Sequence, residues 1–123
     1  MQKANEWKSE YRYGDHGPKY LTKGPKIDMG VVVLKPGQDH QNHYHKITEE
    51  TFFVLEGETD FYINEEHVPM KKGDMLQVHP TESHYLINQS DQDFKAIFVK
   101  APHLEERDTF PLKKPNIKRS EKN

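Results

Sequence analysis

His43-Tyr44-His45 places two imidazoles two residues apart, and on an extended strand such a pair points to one face. Glu50 lies five residues beyond His45, at the start of an apolar run, and His84 opens a separate segment later in the chain. Two imidazoles, a carboxylate and a third imidazole from another strand can converge on one ion. Neutral imidazole and carboxylate suit a divalent transition metal such as Zn, Mn, Fe or Ni. The chain has no cysteine, so thiolate sites are excluded, and an open site with water-filled positions is expected rather than a closed structural zinc. An HxH pair alone is a weak signal, because surface histidine pairs are common. Glu49 stands beside Glu50 as a competing carboxylate.

The chain has eight histidines in all. His40 sits in the stretch before the pair and is the candidate for a supporting or proton-transfer role; Glu49 is the second candidate base. His79 precedes Pro80 and is expected at a rim. His16, His67 and His103 have no partner nearby in sequence and read as surface residues.

The elements that must hold these groups are short. Apolar or alternating runs at 29–34, 51–55, 59–63, 75–78, 84–87 and 94–99 read as strands, separated by turn signals such as Lys35-Pro36-Gly37 and Lys72-Gly73-Asp74. No helical periodicity competes with them, so an all-β sandwich or barrel is expected. Period-two counting turns Phe52 and Val54 inward with the ligands, and Gln77 by a looser argument. The run Thr51-Phe52-Phe53-Val54-Leu55 does not alternate, so both of its faces should be covered, the outer one by a second subunit. Residues 1–26 read as an irregular arm with one short strand around 19–22, 27–101 as the barrel, and 102–123 as a polar extension. Leu104-Glu105-Glu106-Arg107-Asp108 could form one helical turn. The aromatics Trp7, Tyr11, Tyr13 and Tyr20 imply that the arm packs against something. The basic run at 113–123 is expected to be a solvated, frayed end.

The wider spacing carries a resemblance. Gly37, five residues, His43, one, His45, four, Glu50, six, Gly57 resembles the first motif of the cupin superfamily. Gly73 through Pro80 to His84, then three residues to Asn88, resembles the second. The similarity spans about 29–99. It implies a double-stranded β-helix, or jelly-roll barrel, of six to eight strands, with metal-ligand roles for His43, His45, Glu50 and His84. The spacing to Gly57 favours Glu50 over Glu49. One departure is Thr81, which stands where the second motif usually has glycine. Gly37, Gly57 and Gly73 mark positions that need φ > 0, and Asn88 is expected to bond backbone rather than an ion.

Other classes are excluded more simply. With 123 residues, 33% of them hydrophobic, one core and no second domain are expected. A formal net charge of −2 gives no reason to expect nucleic acid. The first fifteen residues lack the apolar stretch of a signal peptide, and no run approaches a bilayer span, so a cytoplasmic protein is expected. No phosphate-binding glycine loop or nucleophilic serine frame is present. Glu56, Glu58 and Asp60 read as a solvated strand face rather than a glycosidase pair.

Three functions remain. One is a metal-dependent enzyme of the isomerase or epimerase type on a small polar metabolite such as a sugar or sugar acid, as in small cupins similar to mannose-6-phosphate isomerase. The others are an Fe-dependent dioxygenase and a non-catalytic sugar- or effector-binding module. Lys71, Lys72 and Lys95 are the nearest basic residues in the strand region, and none forms an evident phosphate pair.

Overall fold

The structure, a computed structural model, describes residues 1–117. The strands are β1 (Gly17–Lys23), β2 (Asp28–Leu34), β3 (Asp39–Tyr44), β4 (Glu49–Glu56), β5 (Glu58–Ile63), β6 (Glu66–Lys71), β7 (Met75–Val78), β8 (His84–Ile87), β9 (Phe94–Ala101) and β10 (Phe110–Pro111). They form two antiparallel five-stranded sheets, β1-β2-β9-β4-β7 and β10-β3-β8-β5-β6, the two walls of a jelly-roll barrel. The six runs read from the sequence correspond to β2, β4, β5, β7, β8 and β9.

The strand total exceeds the expected six to eight. β6 had not been anticipated: it carries Pro69 among charged residues, which a strand tolerates at the sheet edge where β6 lies. The turn between β5 and β6 is Asn64 and Glu65, both at positive φ, the backbone of a two-residue hairpin. Residues 104–108 form no helical turn; the chain bends at Glu105 and Glu106. The arm contributes β1, all seven residues of it, to the first sheet.

Alternation along the strands separates two environments. Val32, Leu34, Phe52, Val54, Phe61, Leu86, Phe94, Ala96 and Phe98 fill the interior, each large side chain stabilising the fold by about 1.5–3 kcal/mol. Cross-strand register stacks this interior in rungs. Val32, Ala96 and Val54 share one rung, and Gly30, Phe98 and Phe52 the next. The rung at the barrel end is polar: Asp28, Lys100 and Glu50 in one sheet, with His43 opposite His84 in the other. β4 alternates more cleanly than expected: Phe52 and Val54 are buried, but Phe53 is exposed on the outer face. Gln77 is also exposed, its amide donating to Thr51 Oγ1 at 3.3 Å, so it faces outward.

Both flanking segments lie on the barrel. The Lys19 ammonium sits 3.9 Å from the Tyr11 ring centroid and donates to the Glu6 carbonyl oxygen at 2.6 Å, and Lys95 pairs with Glu6 at 2.9 Å. The arm therefore packs on the outer face of the first sheet of its own chain. At the other end the Asn42 amide donates to the Lys113 carbonyl oxygen, Lys114 pairs with Asp39 at 3.1 Å, and Pro115 is buried. Up to residue 117 the basic end is thus held rather than frayed; positions 118–123 lie outside the described residues.

Gly30 is where β1 approaches most closely. A Cβ there would stand 2.1 Å from the Lys19 carbonyl oxygen and 2.8 Å from Phe98 Cζ. The missing side chain lets Tyr20, its partner on β1, meet Phe98 edge-on at 5.0 Å. Gly30→Ala should therefore destabilise the protein by about 1–3 kcal/mol, read from urea unfolding of the two proteins; an unchanged midpoint would contradict this packing.

Candidate metal centre

His43 lies on β3 and His45 directly follows it, Glu50 is on β4, and His84 opens β8. All four side chains are buried, and each offers a donor atom within 4.8 Å of the others. Glu50 Oε1 is 3.1 Å from His45 Nε2 and 3.1 Å from His84 Nε2. The His43 ring centroid lies 4.1 Å from that of His84 and 4.9 Å from that of His45.

The far side of each ring determines what the near side can do. Nδ1 of His43 faces the Gln41 carbonyl oxygen at 2.7 Å, Nδ1 of His45 that of Asp108 at 2.7 Å, and Nδ1 of His84 that of Glu82 at 3.3 Å. A carbonyl only accepts, so each Nδ1 carries the proton and, in the neutral ring, each Nε2 presents a lone pair. Two lone pairs then face an anionic oxygen at 3.1 Å. Satisfying that contact with protons would require two adjacent buried imidazolium ions, which is costly. One divalent cation shared by the three rings and the carboxylate satisfies every group, so the residues fit a metal.

Electrostatics agree with this arrangement. Burial pushes His43 down to about 3, so it is neutral at pH 7. Burial works against the charge of Glu50, and its carboxyl is held well below the usual carboxylate range by Lys100 and by protons on the facing Nε2 atoms, the place a cation takes when the rings are neutral. The set is thus three nitrogen lone pairs and one carboxylate.

Asp108 builds the turn that carries His45. Its carboxylate accepts from the backbone N–H groups of Lys46, Ile47 and Thr48 at 2.9–3.1 Å, and its own carbonyl orients the His45 ring. Burial raises its carboxyl, and these donors more than reverse that and lower it. The second motif meets the first through Thr81, whose N–H donates to the His45 carbonyl oxygen at 2.6 Å. Thr81 has φ +73, so it keeps the backbone of the glycine it replaces, at a strain of about 1–3 kcal/mol.

His43, His45 and Glu50 line a cavity of ≈ 690 Å³, within the range of small-molecule sites, with His84 fully buried beside them. Val32, Phe52, Leu86 and Phe98 are its apolar lining; Arg12, Tyr20, Lys23, His40, Lys100 and His103 are polar groups on its wall. Burial pushes His40 down to about 4, its Nδ1 is buried without a partner among the described residues, and its ring meets His43 edge-on at 5.5 Å. Burial opposes the charge of Lys100, but Glu50 and Tyr20 prevail and raise it. A larger groove of ≈ 940 Å³ on the outer side of β5 and β6 holds the His67–Asp60 contact and has no part of the cluster.

Several expectations change here. The structure brings His43, His45, Glu50 and His84 together and sets His40 on the cavity wall. It does not bring Glu49: consecutive residues of a strand face opposite sides, and Glu49 is absent from the cavity lining. His103, expected on the surface without a partner, donates its Nδ1–H to Asp28 Oδ1 at 2.7 Å and lines the cavity. Lys95 points outward, and the lysines and arginines that line the cavity are instead Arg12, Lys23, Lys100 and the exposed Arg107. Lys100 could have been found by extending the inward alternation Phe94, Ala96, Phe98 by one step; Arg12 and Asp108 leave no such signal. Asn88 donates to the Leu34 and Gln92 carbonyl oxygens, as expected.

The pattern of the cupin domain matches residues 30–100, and the chain belongs to the cupin superfamily. Among similar proteins, polyketide synthase CurC of Streptomyces cyaneus is 27% identical over 74 residues, 60% of this chain and 48% of CurC. An oxalate-binding protein of Thermotoga maritima is 33% identical over 68 residues, 55% of this chain and 56% of that protein. The match thus spans about half of each relative. A Klebsiella pneumoniae protein with a double-stranded β-helix domain superposes with a TM-score of 0.75 at 22% identity, covering 85% of this chain and 91% of that one. Streptomyces Pac13, a nucleoside dehydratase, superposes at 0.73 and 24%, covering 94% and 93%. At these identities the two structures establish the fold. Among the described residues, no helix is long and apolar enough to cross a membrane.

Asp108→Ala should weaken metal binding about 10- to 100-fold while the barrel still folds, because it frees the turn that aims His45. Metal titration beside a thermal melt checks this; unchanged affinity would show that the turn holds itself.

Proposed function

We propose that this cupin is a metal-dependent enzyme acting on a small polar metabolite, of the isomerase or epimerase type, with His43, His45, Glu50 and His84 as the ligands. The observation that carries the reading is the convergence of three imidazole lone pairs and one carboxylate beside a cavity large enough for a sugar or sugar acid. A divalent ion held by these four residues would supply Lewis acidity toward a substrate carbonyl.

The chain's own residues then divide the work. The Nδ1 bonds of the three ligand histidines fix their tautomers, so no reorganisation is needed on binding. Phe52, Leu86 and Phe98 keep their part of the cavity dry, which strengthens polar contacts beside them. His40, neutral at pH 7 and on the cavity wall, is the group positioned to accept a proton from a substrate carbon. Glu49, on the opposite side of β4, does not take that role. The charged groups on the wall favour a polar substrate over the greasy one a dioxygenase of aromatic compounds would need. The nucleoside and oxalate handled by the similar proteins support a small-molecule ligand without naming this one.

The test is elemental analysis of protein purified without added metal or chelator, beside His84→Ala and His45→Ala. About one zinc, manganese or nickel per chain, lost in both variants with the fold retained by circular dichroism, is the expected result. Iron at that level would redirect the assignment to oxygen chemistry. Absence of metal from wild type even after reconstitution would leave a binding module.

We also infer a homodimer across the outer face of the first sheet. Val31, Ile97, Phe53 and Met75 share one rung there by register, and Phe53 and Met75 are 43% and 61% exposed. The rung runs to β7, an edge strand, where a second copy of the same patch provides a matching apolar surface. Sedimentation should show a dimer for wild type and a monomer for Phe53→Lys; a monomeric wild type removes the inference.

A further inference from the structure

Tyr20 stands at the centre of a cluster of cations on the cavity wall. The Lys100 ammonium donates to its hydroxyl oxygen at 3.0 Å. Lys23 Nζ lies 4.7 Å from the Tyr20 ring centroid and Arg12 Cζ 6.0 Å. All four residues line the same cavity as His43, His45 and Glu50. Three positive groups around one neutral ring repel one another, and the arrangement calls for an anion.

Of the acidic residues that line the cavity, Asp28, Glu50 and Asp108 are engaged elsewhere, and Glu105 and Glu106 are solvent-exposed. Among the described residues, none of the three cations is ion-paired; the lysines that are paired are Lys35, Lys95 and Lys114. Asp28 holds His103 at 2.7 Å and the Gly24 N–H at 3.0 Å. Asp108 is saturated by three backbone donors. Glu105 faces His103 and is otherwise solvent-exposed. Glu50 and Asp28 flank Lys100 in register on β4 and β2; Asp28 is bonded as described, and a carboxylate that ligates a metal no longer compensates that lysine.

We propose that the substrate carries an anionic group, a carboxylate or a phosphate, which docks on Lys100, Arg12 and Lys23 while its other end reaches the histidine–glutamate cluster. The proposal rests on the metal-enzyme reading of the cavity and names its substrate class. After its bond to Tyr20, Lys100 has two further ammonium protons to give. Arg12 supplies a planar fork suited to a carboxylate or phosphate edge. Arg12 is held in place by its own N–H, which donates to the Pro18 carbonyl oxygen at 2.9 Å, so the N-terminal arm takes part in substrate selection. A neutral sugar would leave Lys100 desolvated and unpaired, which discriminates against it.

The test is calorimetric titration of the full chain, chelator-treated and zinc-reconstituted, with glucuronate, glucose 6-phosphate and glucose. One of the two anions should bind and glucose should not, and which anion binds tells carboxylate from phosphate. Lys100→Met should weaken that anion about 30-fold and flatten its salt dependence, Lys100→Arg should largely restore it, and Arg12→Gln should weaken it without touching the core. Metal content of Lys100→Met, measured in parallel, should equal that of wild type. Glucose binding as tightly as the anions, no binding of either anion at millimolar concentration, or unchanged affinity in both Lys100→Met and Arg12→Gln overturns the proposal. Anion binding through Lys100 by a protein that takes up no metal supports the subsite and counts only against the metal-enzyme reading.

Discussion

Three imidazoles give their Nδ1 protons to backbone carbonyls, and this one commitment organises the polar end of the barrel. It sets the tautomer of each ring and turns three lone pairs toward Glu50. The carbonyls come from different parts of the chain: Gln41 and Glu82 are close to their histidines, but Asp108 is 63 residues from His45. A loop beyond the last long strand is therefore part of the site. Its side chain holds the turn after His45 while its backbone aims the ring, so the ligand geometry depends on the tertiary path of residues 102–109.

The barrel makes such a site tolerable by layering. Buried charge is costly unless compensated, and the strands confine it to one terminal rung. Below Glu50 and Lys100 come Phe52 and Phe98, then Val54 and Ala96. The same separation lets the apolar rungs carry stability while the polar rung carries chemistry. Thr81 marks the boundary: it holds a glycine-like backbone at φ +73 and bonds His45, a strained residue where the segments of the two histidine motifs meet.

The segments flanking the barrel strands are structural and chemical at once. The first lays Glu6, Trp7 and Tyr11 over Lys19 and Lys95 on the outside, then brings Arg12 and Tyr20 to the cavity wall. Residues 112–115 pass along β3 and shield Tyr85 and Asp39, whose hydroxyl and carboxylate are bonded to each other. Each sheet thus has part of its outer face covered by a terminus, and the apolar strip at Phe53 and Met75 is the part left open.

The spacing of residues alone was enough for the strands of the two sheets that alternate strongly and for the positive φ of Gly37, Gly57 and Gly73, whereas the set His43, His45, Glu50 and His84 was singled out by the resemblance to the two cupin motifs. These are short-range matters: a period of two determines which face a side chain takes, and a turn that needs φ > 0 selects glycine. Period two also separates Glu49 from Glu50, although they are neighbours, and places Lys100 inside. It failed where the local signal was masked, as at β6 with its proline. What only the tertiary structure decided is which distant groups share the cavity: Asp108 behind His45, His103 on Asp28, and Arg12, Lys23 and Lys100 around Tyr20. Those contacts depend on which strands become neighbours and in what register, and on the paths of two irregular segments, and backbone pairing of that range leaves no periodic trace in the chain.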